Sequence, residues 1–321
     1  MVIGNTFFVE TTLTRFPEDA AAIIRGGGLV AFPTETVYGL GANVFDEDAV
    51  SKIFEAKMRP LDNPLIAHIG GREQLGRLAR TVSDPAIKLM DAFFPGPLTI
   101  VFEKREEVPL SATAGLSTIG IRMPRNQLAQ QFLAACETPV VAPSANLSGR
   151  PSPTTWQAVF EDLNGRIDCI LQGDPTEIGL ESTVVDCTRN HPIVLRLGGV
   201  TLDELRSVIP NTVSDFSAEI ARRSPGLRHK HYSPGAIVVI VKSAEDLPKG
   251  SRLSAYIGLT DPRNEVELKC IASDVEQYAR DLFEFFRECD RKGIETIYCE
   301  SVPDEGLGGA LMDRIQRAAR G

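Results

Sequence analysis

The chain has 321 residues, of which 43% are hydrophobic and 24% are charged, and its formal net charge is −9. A chain of this length can bury a full core and is expected to form two domains, and its longest apolar runs are strand-sized, far short of a membrane span. The acidic balance argues against a protein whose whole surface binds nucleic acid, but it allows a local basic cleft for a small polyanion.

The first predicted unit is a helix followed by a buried strand. Residues 14–28 predict a helix with Pro17 near its start, and three glycines end it before an apolar strand at 29–32. Pro33 stops this strand and opens a loop of hydroxyls, one carboxylate and glycines that extends over 33–41. Because ligands bind at strand ends in open α/β sheets, we expect a site at this loop.

A second predicted helix carries two cations at its C-terminal end. Asp46 is placed to cap this helix, and the helix leads into Lys57 and Arg59. An isolated pair of basic residues at such a position most often does no more than complement the helix dipole. The helix alone therefore does not establish a binding site.

The segment after this helix favours a binding role for the two cations. It is a stiff polar turn with two prolines and Asn63, and it leads into an apolar strand at 65–69 that carries His68. A lone histidine is usually a satisfied core residue. This one lies on the strand beside the loop that holds the two cations and the amide, so we include it among the candidate site residues.

Helices and strands continue to alternate, which indicates an α/β fold. The apolar patterns predict helices at 74–79, 85–94 and 127–136 and strands at 98–102, 117–122 and 140–142. A second polar loop follows at 142–152 and contains Ser144 and Asn146. Serine, asparagine, glycine and proline are what most loops contain, so this composition alone does not establish a site.

The last predicted strands of this part are 167–171, 184–185 and 193–197, and a segment at 202–208 follows them. Arg196 lies inside the third of these apolar strands, where an arginine is costly unless it is paired or functional. We therefore treat Arg196 as a candidate functional residue.

Residues 210–236 lack a sustained apolar period and contain a stretch rich in proline and basic residues, which predicts a linker. A smaller α/β domain is predicted after it, with strands at 237–241 and 294–298 and helices at 278–291 and 307–319. The glycines at 306–309 are interpreted as the turn that begins the last helix, rather than as a phosphate-binding loop. The predicted boundaries are 1–210 for the first domain, 211–236 for a linker or lid, and 237–321 for the C-terminal domain.

Cysteines, histidines and the N-terminal segment bear on compartment and metal content. The six cysteines include no Cys-x-x-Cys pair and the four histidines show no zinc spacing, so we predict reduced, mostly buried thiols and no metal-ligating residues. The N-terminal segment lacks the basic and long apolar regions of a secretory signal, from which we expect a cytoplasmic protein.

Four sequence features occur together in this chain. They are Lys57-x-Arg59, Ser144-x-Asn146, the Pro33-Thr34-Glu35-Thr36-Val37-Tyr38-Gly39-Leu40-Gly41 loop, and the linker from Ser224-Pro225-Gly226 to His231-Tyr232-Ser233-Pro234. Together they closely resemble the Sua5/YrdC family, and the presence of the linker and C-terminal domain resembles the long Sua5 form rather than the short YrdC form. The resemblance implies a YrdC-like twisted mixed sheet domain followed by a smaller, Rossmann-like Sua5 domain.

The resemblance also implies a nucleotidyl transfer in which L-threonine, bicarbonate and ATP give threonylcarbamoyl-AMP, pyrophosphate and water. The product serves the t6A modification of tRNA at position 37. The carbamate oxygen must attack the α-phosphorus, a step that positioning and charge stabilisation can carry without a protein nucleophile. The sequence contains no Gly-x-x-x-x-Gly-Lys-Ser/Thr loop, so a cradle of side chains is needed for the triphosphate.

The family's site residues can be placed on this sequence by their motifs. The resemblance implies catalytic roles for Lys57, Arg59, Ser144 and Asn146. It implies threonine binding by Thr36, His68, Arg122 and Ser182, with the Arg122 fork suited to a carboxylate. It implies nucleotide binding by Lys57, Arg59, Asn63, Thr118, Ser144, Asn146, Arg196 and Tyr232.

Further expectations from the resemblance concern the metal and the neighbours of these residues. Mg²⁺ would accompany ATP, held largely by phosphate oxygens and water. Glu35 and Glu181 are expected to lie just outside the bound groups. Met58 departs from the small residue that is usual between the family's lysine and arginine.

Two alternatives remain at this stage. One is an RNA-binding module with a basic concave surface, although the acidic charge and the lack of aromatic clusters argue against it. The other is carbamoyl-adenylate chemistry as in hydrogenase maturation, but the chain has no room for the acylphosphatase and zinc-finger modules of such enzymes. A downstream transferase is the expected partner, and direct tRNA binding stays open.

Overall fold

The structure is a computed structural model, and it describes residues 10–216, 232–248 and 253–320. Most of the predicted linker lies outside these residues, including the part of its motif from Ser224 to His231. Within the described ranges the strands form two sheets, one of eleven strands and one of four.

The larger sheet is mixed and belongs to the first part of the chain. Its strands are β1 (Thr12–Thr14), β2 (Val30–Phe32), β3 (Gly39–Asn43), β4 (Ile66–His68), β5 (Leu98–Glu103), β6 (Thr118–Arg122), β7 (Val140–Val141), β8 (Cys169–Leu171), β9 (Thr183–Asp186), β10 (Ile193–Arg196) and β11 (Val213–Ser214). Their order is β1-β8-β2-β3-β7-β4-β6-β5-β9-β10-β11. β4 and β6 are parallel neighbours, whereas β2–β3, β3–β7 and β5–β6 are antiparallel.

Seven α-helices and one 3-10 turn (Arg72–Arg77) accompany this sheet in the described residues. They are α1 (Pro17–Arg25), α2 (Glu47–Lys57), α3 (Asp84–Phe93), α4 (Leu110–Thr113), α5 (Gln127–Ala135), α6 (Trp156–Leu163) and α7 (Leu202–Val208). The predicted cap of α2 is present, because the Asp46 side chain accepts a hydrogen bond from the backbone N–H of Ala49. The sequence analysis missed α4 and α6, and it assigned no secondary structure to the segment that forms α7.

The start of the first helix differs from the prediction. Thr14 ends β1, which pairs in parallel with β8, and α1 begins only at Pro17. Proline fixes φ and lacks an N–H, so it suits the first helical position. Pro17 therefore marks the true start of α1, three residues after the predicted start.

The smaller sheet is fully parallel and lies in the C-terminal part. Its strands are β12 (Ile237–Val241), β13 (Ser254–Gly258), β14 (Leu268–Ile271) and β15 (Thr296–Glu300), in the order β12-β15-β13-β14. Helices α8 (Val275–Arg291) and α9 (Gly308–Ala319) complete the unit. β13 and β14 were not predicted. The expectation of an α/β chain with a large mixed sheet and a smaller parallel-sheet unit is confirmed.

The two sheet-bearing parts share an apolar interface. The core of the C-terminal part includes Val37 and Leu180 from the first part. A Cβ atom added to Gly179 would lie 2.4 Å from the Cα of Arg280, and Gly179 has φ +80°, so both the close approach and the backbone require glycine. The interface is therefore tightly packed beside the loop that leads to Ser182.

Two expectations from the sequence, namely reduced and mostly buried thiols and apolar runs too short for a membrane span, can be compared with this architecture. All six cysteines are free thiols and five of them are buried. None of the helices in the described ranges is long and apolar enough to cross a bilayer.

Candidate active site

A cleft lies at the ends of β2, β4, β6 and β10 and encloses about 600 Å³, including the part that is open to solvent. The parallel pairing of β4 with β6 places His68 opposite Arg122. The side chains and backbone that line the cleft belong to Thr34, Thr36, Val37, Tyr38, Gly39, Arg59, Pro64, Ile66, His68, Arg122, Ala142, Pro143, Ser144, Glu181, Ser182, Arg196 and Tyr232. The segment predicted as a loop at 33–41 therefore lies at a concave cleft, although its last three residues, from Gly39 onwards, belong to β3.

Local hydrogen bonds fix the conformation of this loop. The Thr34 hydroxyl donates to the carbonyl of Val37 at 2.7 Å and accepts from the N–H of Thr36 at 3.1 Å. Thr34 Oγ1 and Thr36 Oγ1 are also 2.9 Å apart. Because the loop is held by its own side chains, the Thr36 hydroxyl is presented to the cleft in a defined position.

A buried ion pair forms one wall of the cleft. Arg122 Nη2 lies 2.7 Å from Glu35 Oε1, and both side chains are almost completely buried. Arg122 Nη1 donates to Thr36 Oγ1 at 2.8 Å, and Glu35 Oε2 accepts from the backbone N–H of Arg125 at 3.1 Å. Glu35 therefore orients the Arg122 guanidinium, and Glu35 itself is not among the residues that line the cleft.

His68 is buried and uncharged. Its Nδ1 lies 3.1 Å from the carbonyl of Ile66, and its ring meets Phe32 edge to face at 5.7 Å. Burial, and then the neighbouring Arg122 cation, lower the pKa of His68 from 6.5 to about 3. The imidazole is therefore neutral near pH 7 and can act at the cleft as a hydrogen-bonding group without adding charge.

This pKa shift predicts an acid-dependent loss of stability. The unfolded chain takes up a proton on His68 as the pH falls below 6.5, whereas the folded chain does so only near pH 3. Between these values the free energy of unfolding should fall by about 1.4 kcal/mol per pH unit more than in His68→Gln, which cannot titrate there. Urea unfolding of both proteins from pH 6.5 to pH 4 measures the difference, and equal slopes would show that His68 is not held neutral.

The two cations at the C-terminal end of α2 occupy different places. Arg59 lines the cleft, and its Nη2 donates to the carbonyls of Asn63 and Pro64 at 3.4 and 3.3 Å. Burial is the main cause that lowers the pKa of Arg59 to about 10, so the group is still a cation near pH 7. Among the described residues its Nε has no hydrogen-bond partner.

Lys57 lies behind the cleft instead of lining it. Its ammonium donates to the carbonyl of Ser144 at 2.5 Å and to the carbonyl of Asn146. Burial, followed by the Arg59 cation, lowers the pKa of Lys57 well below its ordinary value. In this structure Lys57 therefore holds the second polar loop in place, and Ser144 lines the cleft together with Ala142 and Pro143 of that loop.

The far wall of the cleft is built from Ser182, Arg196 and Tyr232. The guanidinium of Arg196 donates through Nε and Nη2 to the carbonyl of Ser182 at 3.1 and 2.9 Å, and the Ser182 hydroxyl lies 2.8 Å from Thr99 Oγ1. Burial lowers the pKa of Arg196 and raises that of Tyr232 to about 12. Arg196 inside an apolar strand thus belongs to the cleft, where three buried arginines face one space.

The structure brings most of the predicted site residues together. Eight of them line the cleft, namely Thr36, Arg59, His68, Arg122, Ser144, Ser182, Arg196 and Tyr232. Lys57, Asn63 and Asn146 are buried behind it. Thr118 lines a separate small pocket that shares Pro64 and Ile66 with the cleft.

Sequence reasoning missed three contributors to this site. Thr34 and Tyr38 line the cleft, and Arg314 of α9 pairs with the cleft residue Glu181 at 2.8 Å. The signal for Arg314 was its position beside Leu311 and Ile315 on the apolar face of the last helix. Met58, the departure from the family motif, is 70% exposed and has φ 52°, so its side chain points away from the cleft.

The described part of the chain contains no group of three or more histidine, cysteine, aspartate or glutamate side chains that could hold a metal ion. The carboxylates nearest the cleft, Glu35 and Glu181, are already engaged by arginines at 2.7 and 2.8 Å. Cations and hydroxyls therefore dominate the cleft, a composition suited to an anionic ligand.

Two protein-family models together match most of the chain. Residues 22–198 match the family model Sua5_yciO_yrdC, whose description is "Telomere recombination". Residues 200–320 match the model Sua5_C, described as "Threonylcarbamoyl-AMP synthase, C-terminal domain".

Relatives with curated names match over nearly their full lengths. The chain is 44% identical to threonylcarbamoyl-AMP synthase of Pyrococcus abyssi (strain GE5 / Orsay), covering 94% of this chain and 93% of the relative. It is 40% identical to threonylcarbamoyl-AMP synthase of Bacillus subtilis (strain 168), covering 98% and 97%. The crystal structure of P. abyssi Sua5 complexed with L-threonine superposes with a TM-score of 0.87 at 40% identity and covers 97% of each chain.

Proposed function

The chain belongs to the Sua5/YrdC family, in its long Sua5 form, and we propose that it catalyses the synthesis of L-threonylcarbamoyl-AMP from L-threonine, bicarbonate and ATP. Pyrophosphate and water are the other products. The observation that carries this proposal is the convergence of three buried arginines on one cleft that also presents threonine and serine hydroxyls. The relatives reported above carry the name of this enzyme, and they give no support to the alternative of an RNA-binding module.

The threonine end of the cleft is assigned to the wall that contains Arg122. Its guanidinium is oriented by Glu35 and Thr36, which suits it to hold the amino acid carboxylate. The hydroxyls of Thr36 and Ser182 and the neutral His68 supply hydrogen bonds for the side-chain hydroxyl and the amine. These contacts fix the amine so that the carbamate forms at one position.

The nucleotide end is assigned to Arg59, Ser144, Arg196 and Tyr232. A carbamate oxygen attacks the α-phosphorus, the bond to the bridging oxygen of the β-phosphate breaks, and pyrophosphate leaves with its electron pair. Arg59 and Arg196 stabilise the charge that develops on the phosphate oxygens. Lys57 and Asn146 act from behind the cleft, because they hold the loop that carries Ser144.

Mg²⁺ enters with ATP as part of the substrate in this proposal. The absence of a three-ligand protein cluster in the described residues is compatible with a metal that is held chiefly by phosphate oxygens and water. The adenylate is a reactive mixed anhydride, so it must pass to a transferase that modifies tRNA. We place the reaction in the cytoplasm, and the proposal does not require this chain to bind tRNA directly.

The proposal is tested with the full chain, Mg·ATP, bicarbonate and one amino acid at a time, with the adenylate identified by mass spectrometry. Threonine should exceed valine by at least about 100-fold in kcat/KM, because a site that binds a hydroxyl is left with unpaired polar groups when a methyl replaces it. Serine should be the closer competitor. Absence of an adenylate with threonine, or equal turnover with valine, would contradict the proposal.

A further inference from the structure

Arg314 is a completely buried arginine of the C-terminal part that reaches the cleft from outside. Its Nε donates to Glu181 Oε2 at 2.8 Å, and its Nη2 donates to the carbonyl of Leu197 at 2.9 Å. The guanidinium carbon also lies 5.5 Å from the centre of the Tyr232 ring. One side chain from α9 therefore contacts three residues in and around the site.

The start of α9 is packed closely enough to make this reach possible. A Cβ atom added to Gly309 would lie 3.2 Å from Leu197 Cδ1, and one added to Gly308 would lie 2.0 Å from the carbonyl oxygen of Pro303. Gly309 thus allows the helix to approach Leu197 of the first part of the chain, whereas Gly308 allows close packing against Pro303 within the C-terminal part. Gly306 lies in the turn that begins the last helix, as the sequence predicted.

Glu181 is the residue on which Arg314 acts. It lines the cleft, its Oε1 accepts from the Ser152 hydroxyl at 2.6 Å, and it precedes Ser182 in the chain. Burial alone would raise the pKa of Glu181, but Arg314, then Arg196, and the hydrogen bonds hold it below the ordinary value. The cleft therefore contains an ionised carboxylate on the side where a triphosphate has to bind.

A buried carboxylate without its partner would be costly for such a site. If Arg314 were absent, Arg196 would be the principal cation left near Glu181. A negative charge that is not compensated would repel the phosphates and would draw Arg196 toward itself. Asp313, which lies 2.8 Å from Arg314 Nη1, is on the helix and does not line the cleft.

We propose that Arg314 is a positioning residue for the nucleotide end of the cleft: it compensates Glu181, so that Arg196 stays directed at Ser182 and the phosphates meet a cationic wall. This proposal rests on the proposed function. It implies that the C-terminal part contributes to ATP binding through one ion pair, between Arg314 and Glu181 at 2.8 Å. Arg314 itself touches neither substrate.

The test measures KM for ATP and for threonine in the full chain. Arg314→Met should raise the ATP KM by about tenfold or more while the threonine KM changes less, because an unpaired buried charge remains beside the phosphates. Glu181→Gln alone should leave the ATP KM unchanged or lower. The double variant Arg314→Met/Glu181→Gln should return the ATP KM to within about threefold of wild type, since the charge that Arg314 compensates is gone.

Arg291→Gln is the matched control, because Arg291 also joins the two parts by an ion pair, to Glu161 at 3.1 Å, but at the surface. It should keep both KM values. An unchanged ATP KM in Arg314→Met would overturn the proposal. So would a double variant that shows no recovery, since Arg314 would then act only by docking α9.

A second variant and the activity of the wild-type protein distinguish the remaining possible outcomes. If Arg314→Met does not fold, Arg314→Gln, which also removes the cation but can still donate a hydrogen bond, is compared with and without Glu181→Gln, and the same recovery is expected. No recovery in that pair would overturn the inference. A wild-type protein that makes no adenylate would contradict the proposed function itself, whereas an active wild type with an unaffected Arg314→Met variant contradicts this inference alone.

Discussion

Replacing Arg59 with alanine should lower kcat/KM for ATP by about a thousandfold, because a preorganised cation that meets the charge on a transferring phosphate is worth about 3–4 kcal/mol or more. The structure supports this magnitude, since Arg59 is buried, lines the cleft and remains charged near pH 7 with a pKa of about 10. Pyrophosphate release from Mg·ATP, threonine and bicarbonate is the measurement.

Arg80→Ala is the matched control for this experiment. Arg80 pairs with Glu103 at 2.6 Å, but 66% of its side chain is exposed, so its loss should change turnover by less than about twofold. Thermal unfolding of both variants shows whether each is folded. If folded Arg59→Ala turns over like Arg80→Ala, then Arg59 does not contact the reacting phosphate.

Lys57 illustrates what the motif alone could not resolve. The family resemblance implied the same role for both cations of Lys57-x-Arg59, and both residues do lie at the C-terminal end of α2. However, Lys57 precedes the left-handed residue Met58 and Arg59 follows it, so the chain turns between them. The ammonium of Lys57 consequently points to the carbonyls of Ser144 and Asn146, while the Arg59 guanidinium faces the cleft.

Local sequence patterns were sufficient for most of the first part of the fold. Short apolar, β-type runs located the strands that carry His68, Arg122 and Arg196, and the strand-end rule located the loop with Thr36. These signals are local, because each depends on a few neighbouring residues. The same rules overlooked α6, whose Thr155 cap lies within a stretch of loop-like composition.

Contacts between the two parts of the chain could not be predicted in this way. Arg287 and Arg314 are both completely buried, and they meet Asp162 and Glu181 at 2.8 Å across more than a hundred residues of sequence. On a helix their charges are typical of an exposed face. Gly179 is required by the close approach of Arg280, but this reason is evident only once the two parts of the chain are placed together.

The second large effect is expected at the Arg122–Glu35 pair. Removing Arg122 alone would leave the Glu35 carboxylate buried without a cation, at a cost of about 3–5 kcal/mol in folding stability, and this would obscure any effect on substrate. The double variant Arg122→Met/Glu35→Gln removes both charges, and the amide oxygen of the introduced glutamine can still accept from the N–H of Arg125. The variant should therefore remain folded while lacking the clamp for the amino acid carboxylate.

In that double variant kcat/KM for threonine should fall by about a thousandfold, which corresponds to about 4 kcal/mol for a desolvated, hydrogen-bonded charge pair between guanidinium and carboxylate. The ATP KM should change little, because Arg59 and Arg196 are unaltered.

Arg125→Gln is the control for this experiment. Arg125 is the next arginine after Arg122, but its side chain is 48% exposed and pairs with Glu177 at the surface, so both parameters should stay near wild type. Glu35→Gln alone should retain much of the threonine affinity, since the Arg122 cation that holds the carboxylate is still present. Should the folded double variant use threonine as well as Arg125→Gln does, the carboxylate is held elsewhere in the cleft and the assignment of its threonine end is wrong.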